Sequence, residues 1–124
     1  MKLKLQERDL QRTCEDYLKL VLCNPGRGRY WHLEEARFIG IAGIPDIIGW
    51  IKLDKIVKMT GLTAYSFINF AYELKIDKHK PTFKQYQVMN SLKDEGWIVD
   101  WGNDFYKFKS WIDALLLEGR SCSK

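Results

Sequence analysis

Two stretches decide the fold that we predict for this chain: Gly-Ile-Pro-Asp-Ile-Ile at residues 43–48 and Phe-Ala-Tyr-Glu-Leu-Lys at residues 70–75. Each stretch predicts a β-strand: proline is tolerated at the first position of a strand, and an apolar run follows it. Because side chains alternate along a strand, Glu73 and Lys75 project to one face. If the two strands pair, Asp46, Glu73 and Lys75 converge.

The paired acidic residues predict a metal site. Two carboxylates that face each other repel, so Asp46 and Glu73 are unfavourable neighbours without a cation between them. Hard oxygen ligands of this kind suit Mg²⁺ or Mn²⁺. The residues therefore predict a divalent metal site with Lys75 beside it.

The same motifs carry a resemblance to a known family. Pro45-Asp46 followed by Glu73-Leu74-Lys75 resembles the PD-(D/E)XK nuclease superfamily, and both motifs fall on predicted strands in the right order. The chain also resembles the VRR-NUC branch of this superfamily, through Arg37-Phe38 before residues 43–49 and through Gln85 and Gly96 after them. The resemblance covers residues 15–97. It implies an α/β fold with a restriction-endonuclease-like core, in which helices flank a mixed β-sheet in the order α-β-β-β-α-β. The sequence adds a C-terminal helix to this core.

The resemblance also implies an activity, namely metal-dependent endonuclease hydrolysis of DNA phosphodiester bonds. Mg²⁺, or Mn²⁺ in its place, would be held by Asp46, Glu73, the backbone carbonyl of Leu74 and Glu15, and would activate a bound water. Lys75 would orient the water or stabilise the transition state. It is a poor candidate for the base, because neighbouring carboxylates favour its protonated form.

The expected substrate is branched or structured DNA, because stand-alone domains of this branch resemble enzymes that cut four-way junctions or flaps. Cutting a four-way junction needs two sites related by a two-fold axis, so the resemblance implies a homodimer.

Glu15 has two readings. It lies on a stripe with Gln11 and Leu18 at the border of the apolar face of the first helix. It is either a boundary glutamate paired with a neighbouring cation, Arg12 or Lys19, or the third carboxylate that the resemblance implies. Glu7 is the alternative for that role.

Gln85 also has two readings. Thr82 is a good helix N-cap, and Gln85 stands at the capping-box position three residues later. Gln85 also begins the stripe that continues through Val88, Met89 and Leu92, which should pack on the sheet. On that face it is directed toward the strand ends, and the resemblance implies that it supports the active site.

Other polar residues receive no catalytic role. His32 has no second histidine at ligand spacing, and a lone histidine is more often structural. Glu34 and Glu35 are adjacent on a strand, so at most one faces the site, and both are interpreted as surface charges.

The remaining pattern predicts the elements around these strands. We expect a first helix over residues 6–23, a strand over 30–39, a short helix over 53–61 inserted between the two acidic strands, a strand over 97–101 after Gly96, and a last helix over 110–117. The helix between the Glu73 strand and the last strand predicts that these two strands are parallel.

Composition is that of a folded protein. The chain has 124 residues, 46% hydrophobic and 29% charged, which predicts a single domain over residues 1–124. Its net charge of +4 permits a nucleic acid partner without requiring one. The basic loops offer Arg27, Arg29, Lys78 and Lys80 as candidate DNA contacts.

Cysteine usage and hydropathy indicate the compartment. The 3 cysteines show no CxxC spacing, so neither a disulfide framework nor a zinc site is predicted. The start of the chain has no signal-peptide core, and its most apolar stretch is shorter than the ~20 residues of a membrane helix. We therefore expect a soluble cytoplasmic protein with no membrane partner.

Two other classes remain open. One is a DNA-binding module of the same fold that lacks catalysis, for which strongly salt-dependent binding without cleavage is typical. The other is a structural or interaction protein in which Asp46 and Glu73 are ordinary strand-end residues.

Overall fold

The computed structural model describes residues 2–33, 43–59 and 61–121. In chain order the elements are α1 (Lys2–Leu18), continued by a π-helical turn (Lys19–Cys23), β1 (Gly28–His32), β2 (Ile47–Met59), β3 (Leu62–Leu74), α2 (Phe83–Asp94), β4 (Ile98–Gly102) and α3 (Phe105–Ser121). Apart from the short helix predicted over residues 53–61, this is the predicted order of helices and strands. The second half of the predicted 30–39 strand, with Glu34, Glu35 and Arg37-Phe38, lies outside the described residues.

The four strands form one mixed sheet in the order β1-β2-β3-β4. The pairs β1–β2 and β2–β3 are antiparallel, and β3–β4 is parallel. The helix α2 connects the two parallel strands, so the predicted parallel relation is confirmed. The predicted α/β class with a mixed sheet is confirmed as well.

Helices cover both faces of the sheet. On one face α1 and α3 pack against the larger core, whose buried members are Cys14, Leu18, Leu22, Ile47, Ile51, Phe70, Tyr72, Leu74, Phe108, Ile112, Leu115 and Leu116. On the other face α2 places Met89 against Ala71 and Val99. Ile47 and Ile48 fall in different clusters because neighbouring strand residues point to opposite faces.

The ends of α2 lie where the sequence predicts them. Thr82 is the N-cap, and its hydroxyl accepts a hydrogen bond from the Gln85 amide at 3.2 Å. At the other end Gly96 has φ +96°, a left-handed conformation that glycine adopts without steric cost. The Gly96 amide donates to the Lys93 carbonyl and the Trp97 amide to the Leu92 carbonyl. These two bonds form a Schellman motif, which ends the helix and sends the chain into β4.

The predicted helix over residues 53–61 is wrong. Those residues continue β2 as far as Met59, and β3 returns from Leu62, so the excursion between the acidic strands is the outer part of one long hairpin. The β-branched pair Ile56-Val57 favours an extended chain, and pairing with β3 supplies backbone hydrogen bonds that an isolated short helix lacks. The register shifts between Lys52 and Ile56, which divides the hairpin into an inner and an outer ladder.

The last helix begins earlier than predicted. It starts at Phe105 rather than near Ser110, because the Asp104 carboxylate accepts a hydrogen bond from the Lys107 amide at 2.8 Å and caps the helix there. Within the described ranges, no helix combines the length and the apolar character needed to span a membrane.

Candidate functional site

Asp46 and Glu73 meet at the inner end of the β2–β3 hairpin. Ile47 pairs with Tyr72, so the next position along the ladder brings Asp46 beside Glu73. The Asp46 Oδ2 atom accepts a hydrogen bond from the Leu74 amide at 2.8 Å, which fixes its carboxylate at the end of β3. The predicted convergence of the two acidic residues is therefore observed.

Glu73 is a buried carboxylate with two unequal oxygens. Its side chain is only 3% exposed. Oε2 lies 3.2 Å from Lys75 Nζ and accepts a hydrogen bond from Gln85 Nε2 at 2.9 Å. Oε1 is buried and has no hydrogen-bond partner in the structure. A buried polar atom without a partner is costly, so this oxygen marks a place where a ligand can bind.

The electrostatics of Glu73 follow from this environment. Burial raises the pKa of its carboxyl group from 4.5 to about 7, and the nearby charge of Asp46 acts in the same direction. The charge and hydrogen bond of Lys75, together with the Asp46 backbone, lower this pKa but do not compensate for the other two effects. A divalent cation would stabilise the carboxylate by providing charge and a partner for Oε1. The Asp46–Glu73 pair thus fits a hard cation.

Gln85 makes both of the contacts that its two interpretations predict, one that caps α2 and one with Glu73. Its Oε1 atom accepts a hydrogen bond from the Thr82 amide at 2.8 Å, which completes the capping box. Its Nε2 group donates to Glu73 at 2.9 Å. The start of α2 is therefore joined directly to the buried carboxylate by one side chain.

Glu15 lies in a different network. Tyr30 donates to its Oε1 atom and Gln11 to its Oε2 atom, both at 2.9 Å, and Gln11 Nε2 is 3.1 Å from His32 Nδ1. Burial, followed by the hydrogen bond to Glu15, raises the pKa of Tyr30, which keeps this hydroxyl protonated as a donor. The network belongs to the face that α1 covers, whereas strand alternation directs Glu73 to the face of α2.

Asp46 and Glu73 are the predicted acidic residues that the described part of the chain brings together at the end of the β2–β3 hairpin. Among the described side chains, which leave out those of residues 2–7, 54–59, 62–65 and 118–121, no three Asp, Glu, His or Cys residues form a group that could hold a metal ion. Glu15 is held by Gln11 and Tyr30 in that separate network, and its role as a third acidic ligand stays a prediction. Glu7, the alternative, lies outside the residues whose side chains are described.

The four candidate DNA contacts occupy different environments. Lys78 and Lys80 are exposed on the loop between Lys75 and α2, next to the acidic pair in the chain. Arg29 is exposed on β1, whereas Arg27 is half-buried and donates to the Leu116 carbonyl at 3.3 Å. The first three are available to a ligand, and Arg27 ties β1 to α3.

Some residues around the site were not anticipated. Tyr30 and Gln11 hold Glu15, and the exposed or half-buried aromatic side chains Trp31, Trp50 and Phe67 lie on the sheet. Strand alternation could have placed Trp31 with Arg29 on one face of β1. Nothing in the spacing of the sequence indicates the contacts between α1 and β1.

Comparison of the chain with protein-family models, with curated proteins and with solved structures gave no match.

Proposed function

We propose that this protein is a metal-dependent endonuclease that hydrolyses phosphodiester bonds in DNA. The observation that carries the proposal is the buried Glu73 carboxylate, which faces Asp46 and has one oxygen without a partner. Lys75 and Gln85 engage the other oxygen. An apolar replacement would serve a purely structural role better, because burying two like charges together costs free energy.

The architecture supports a restriction-endonuclease-like core, which we propose as the fold family, with the VRR-NUC branch as the nearest pattern. The supporting features are a mixed four-stranded sheet, helices on both faces, and both acidic residues at the ends of two paired central strands. The Pro45-Asp46 and Glu73-Leu74-Lys75 motifs occupy those strand ends.

In the proposed mechanism Asp46, Glu73 and the backbone carbonyl of Leu74 would hold Mg²⁺, with Mn²⁺ as a substitute. The cation would supply Lewis acidity that activates a water and offsets negative charge on the scissile phosphate. The Leu74 amide orients the Asp46 carboxylate, and Gln85 orients that of Glu73. Lys75 places a positive charge beside this pair, where it can orient the water or stabilise the phosphorane-like transition state.

We further propose that the substrate is branched or structured DNA, a four-way junction or a flap, and that the protein acts as a homodimer. The exposed Lys78 and Lys80, which follow the Glu73 strand in the chain, and Arg29 on β1 offer positive charge for phosphate contacts. Two sites related by a two-fold axis would suit a pair of symmetric cuts.

A cleavage panel tests the proposal. Labelled four-way junction, flap, linear duplex and single-stranded DNA are incubated with Mg²⁺, Mn²⁺ or EDTA. We expect cleavage in either metal and none in EDTA, with a branched substrate cut fastest. Absence of cleavage for every substrate in both metals would contradict the proposal. If salt-dependent DNA binding persisted in that case, the inactive DNA-binding module would be the better description.

A matched pair of variants tests whether Gln85 positions Glu73 or only caps the helix. Thr82→Ala and Gln85→Ala both remove the capping box, so each should cost about 1 kcal/mol of stability. Only Gln85→Ala also removes the donor to Glu73. Loss of a group that orients a metal ligand typically costs roughly 10–100-fold in activity. We therefore expect a loss of that size in cleavage rate for Gln85→Ala and little change for Thr82→Ala.

Cleavage rates and melting temperatures of both variants show whether Gln85 positions Glu73 or only caps α2. Equal rates for the two proteins would assign Gln85 to helix capping alone.

A further inference from the structure

Three aromatic side chains form an accessible surface on the same sheet face as the acidic pair. We call Trp31, Trp50 and Phe67 the aromatic face. Trp31 is 50% exposed and Phe67 is 48% exposed, although large apolar side chains of this kind are usually buried. The Trp50 and Phe67 rings meet edge to face, with centroids 5.2 Å apart.

The strand register places this surface beside Asp46 and Glu73. Trp31 pairs with Ile48, and Ile48 pairs with Ala71, which lies in the cluster under α2. Directly paired residues of antiparallel strands share a face, and alternate residues along one strand do too. The aromatic face and the acidic pair therefore lie on one surface. Trp50 is four positions from Asp46, or ~13 Å at about 3.3 Å per residue.

The charges around the aromatic face are complementary to a polyanion. Arg29 pairs with Trp50 across the ladder, is exposed, and points to the same face. Along residues 29–31, 46–52 and 66–73, the only acidic side chains on this face are those of the proposed metal site, Asp46 and Glu73. Arg29, Trp31 and Trp50 also border a shared recess of about 410 Å³.

We infer that the aromatic face binds an unpaired segment of the DNA strand and stacks its bases next to the cleavage site. Bases inside a duplex already stack on one another, so exposed rings gain contacts only with bases that are unpaired. Stacking is insensitive to sequence, and Arg29 supplies the phosphate contact. This inference rests on the proposed function and specifies its substrate as DNA with a single-stranded segment at the cut.

Binding without catalysis provides the test. Fluorescence anisotropy in EDTA measures the Kd of labelled single-stranded dT15 and of a blunt duplex of equal length. We expect Trp31→Ala and Phe67→Ala each to weaken dT15 binding roughly tenfold, equivalent to about 1.4 kcal/mol, which is within the range of base stacking. Duplex binding should stay within about twofold, because phosphate contacts carry it.

Matched variants separate stacking from general damage. Tyr106→Ala removes an aromatic side chain that is 76% exposed on α3, which packs on the opposite face, and should leave dT15 binding unchanged. Trp31→Phe and Phe67→Tyr keep a stacking ring and should retain most of the affinity. Wild-type dT15 affinity in both alanine variants, or an equal loss for the duplex, would overturn the inference. Tighter wild-type binding of single-stranded RNA of equal length would overturn the assignment to DNA.

Failure of this inference and failure of the nuclease proposal give different results. Ring-dependent binding of dT15 without cleavage of any substrate rejects the nuclease and retains the stacking surface. Metal-dependent cleavage with dT15 binding unaffected by the alanine variants rejects the stacking surface and retains the nuclease.

Discussion

Replacing Asp46 with asparagine is expected to lower metal-dependent DNA cleavage by roughly a thousandfold or more, because losing a charged metal ligand forfeits several kcal/mol of transition-state stabilisation. Asparagine has nearly the same shape as aspartate. Its side-chain oxygen can still accept the hydrogen bond that the Leu74 amide donates at 2.8 Å. The end of β3 should therefore stay in place, and the loss should be confined to chemistry.

Three measurements on Asp46→Asn separate chemistry from folding and binding. Cleavage rate in Mg²⁺ should fall, whereas affinity for DNA should stay near the wild-type value and thermal stability in EDTA should be equal or higher, because the repulsion of Glu73 is removed. Asp94→Asn, which makes the same change at an exposed position of α2, serves as the control and should retain full activity. A wild-type cleavage rate in Asp46→Asn would show that the metal site is assigned to the wrong residues.

Glu73→Gln is expected to change stability and activity in opposite directions. Burial and the charge of Asp46 raise the pKa of Glu73 to about 7, so its charged form destabilises the folded protein when no metal is bound. Glutamine removes that charge and keeps an oxygen for Gln85 and Lys75. We expect a stability gain of about 1 to 3 kcal/mol at pH 8 in EDTA, or roughly 3–5 °C in Tm per kcal/mol. Cleavage should be abolished.

The stability gain of Glu73→Gln should depend on pH in a defined direction. The carboxyl has a higher pKa in the folded chain, about 7, than its ordinary value of 4.5. The folded state therefore holds more protons between these values, and wild-type stability falls as pH rises through this window. Glutamine does not titrate, so its advantage should be largest at pH 8 and smaller at pH 5.

The control for Glu73→Gln is Glu95→Gln, the same substitution at an exposed position, which should show no such pH dependence. If Glu73→Gln melted at a lower temperature than wild type at pH 8 in EDTA, the buried carboxylate would not be a source of strain. The structural argument for a cation at this site would then be lost.

The sequence predicted the convergence of Asp46 and Glu73 because the direction of each side chain is local, although the pairing of the two strands is a tertiary contact. The strand alternation at residues 70–75 and the proline before Asp46 are enough to direct Glu73 and Lys75 to one face of a paired strand. The capping box at Thr82 predicted where α2 begins, and that start brings Gln85 to Glu73.

The wrong prediction arose in a segment whose sequence fits a helix and a strand equally well. Residues 53–61 place Ile56, Val57 and Met59 among lysines before a glycine, which fits a short helix as well as a strand. Pairing with β3 decides between them, and that pairing is a tertiary contact. The link between Glu15 and Tyr30 is likewise tertiary, because it depends on how α1 lies against β1.

The divided register of the long hairpin has a consequence for engineering the chain. The inner ladder, from Ile47–Lys52 against Phe67–Tyr72, sets the alignment of the acidic pair, and the outer ladder keeps its own alignment beyond the irregularity. Residues 53–55 of β2 lie against Ser66 alone, so the hairpin already accommodates extra length. The tip near Gly61 is therefore the place to graft an epitope tag or a reporter domain without altering the spacing of the carboxylates.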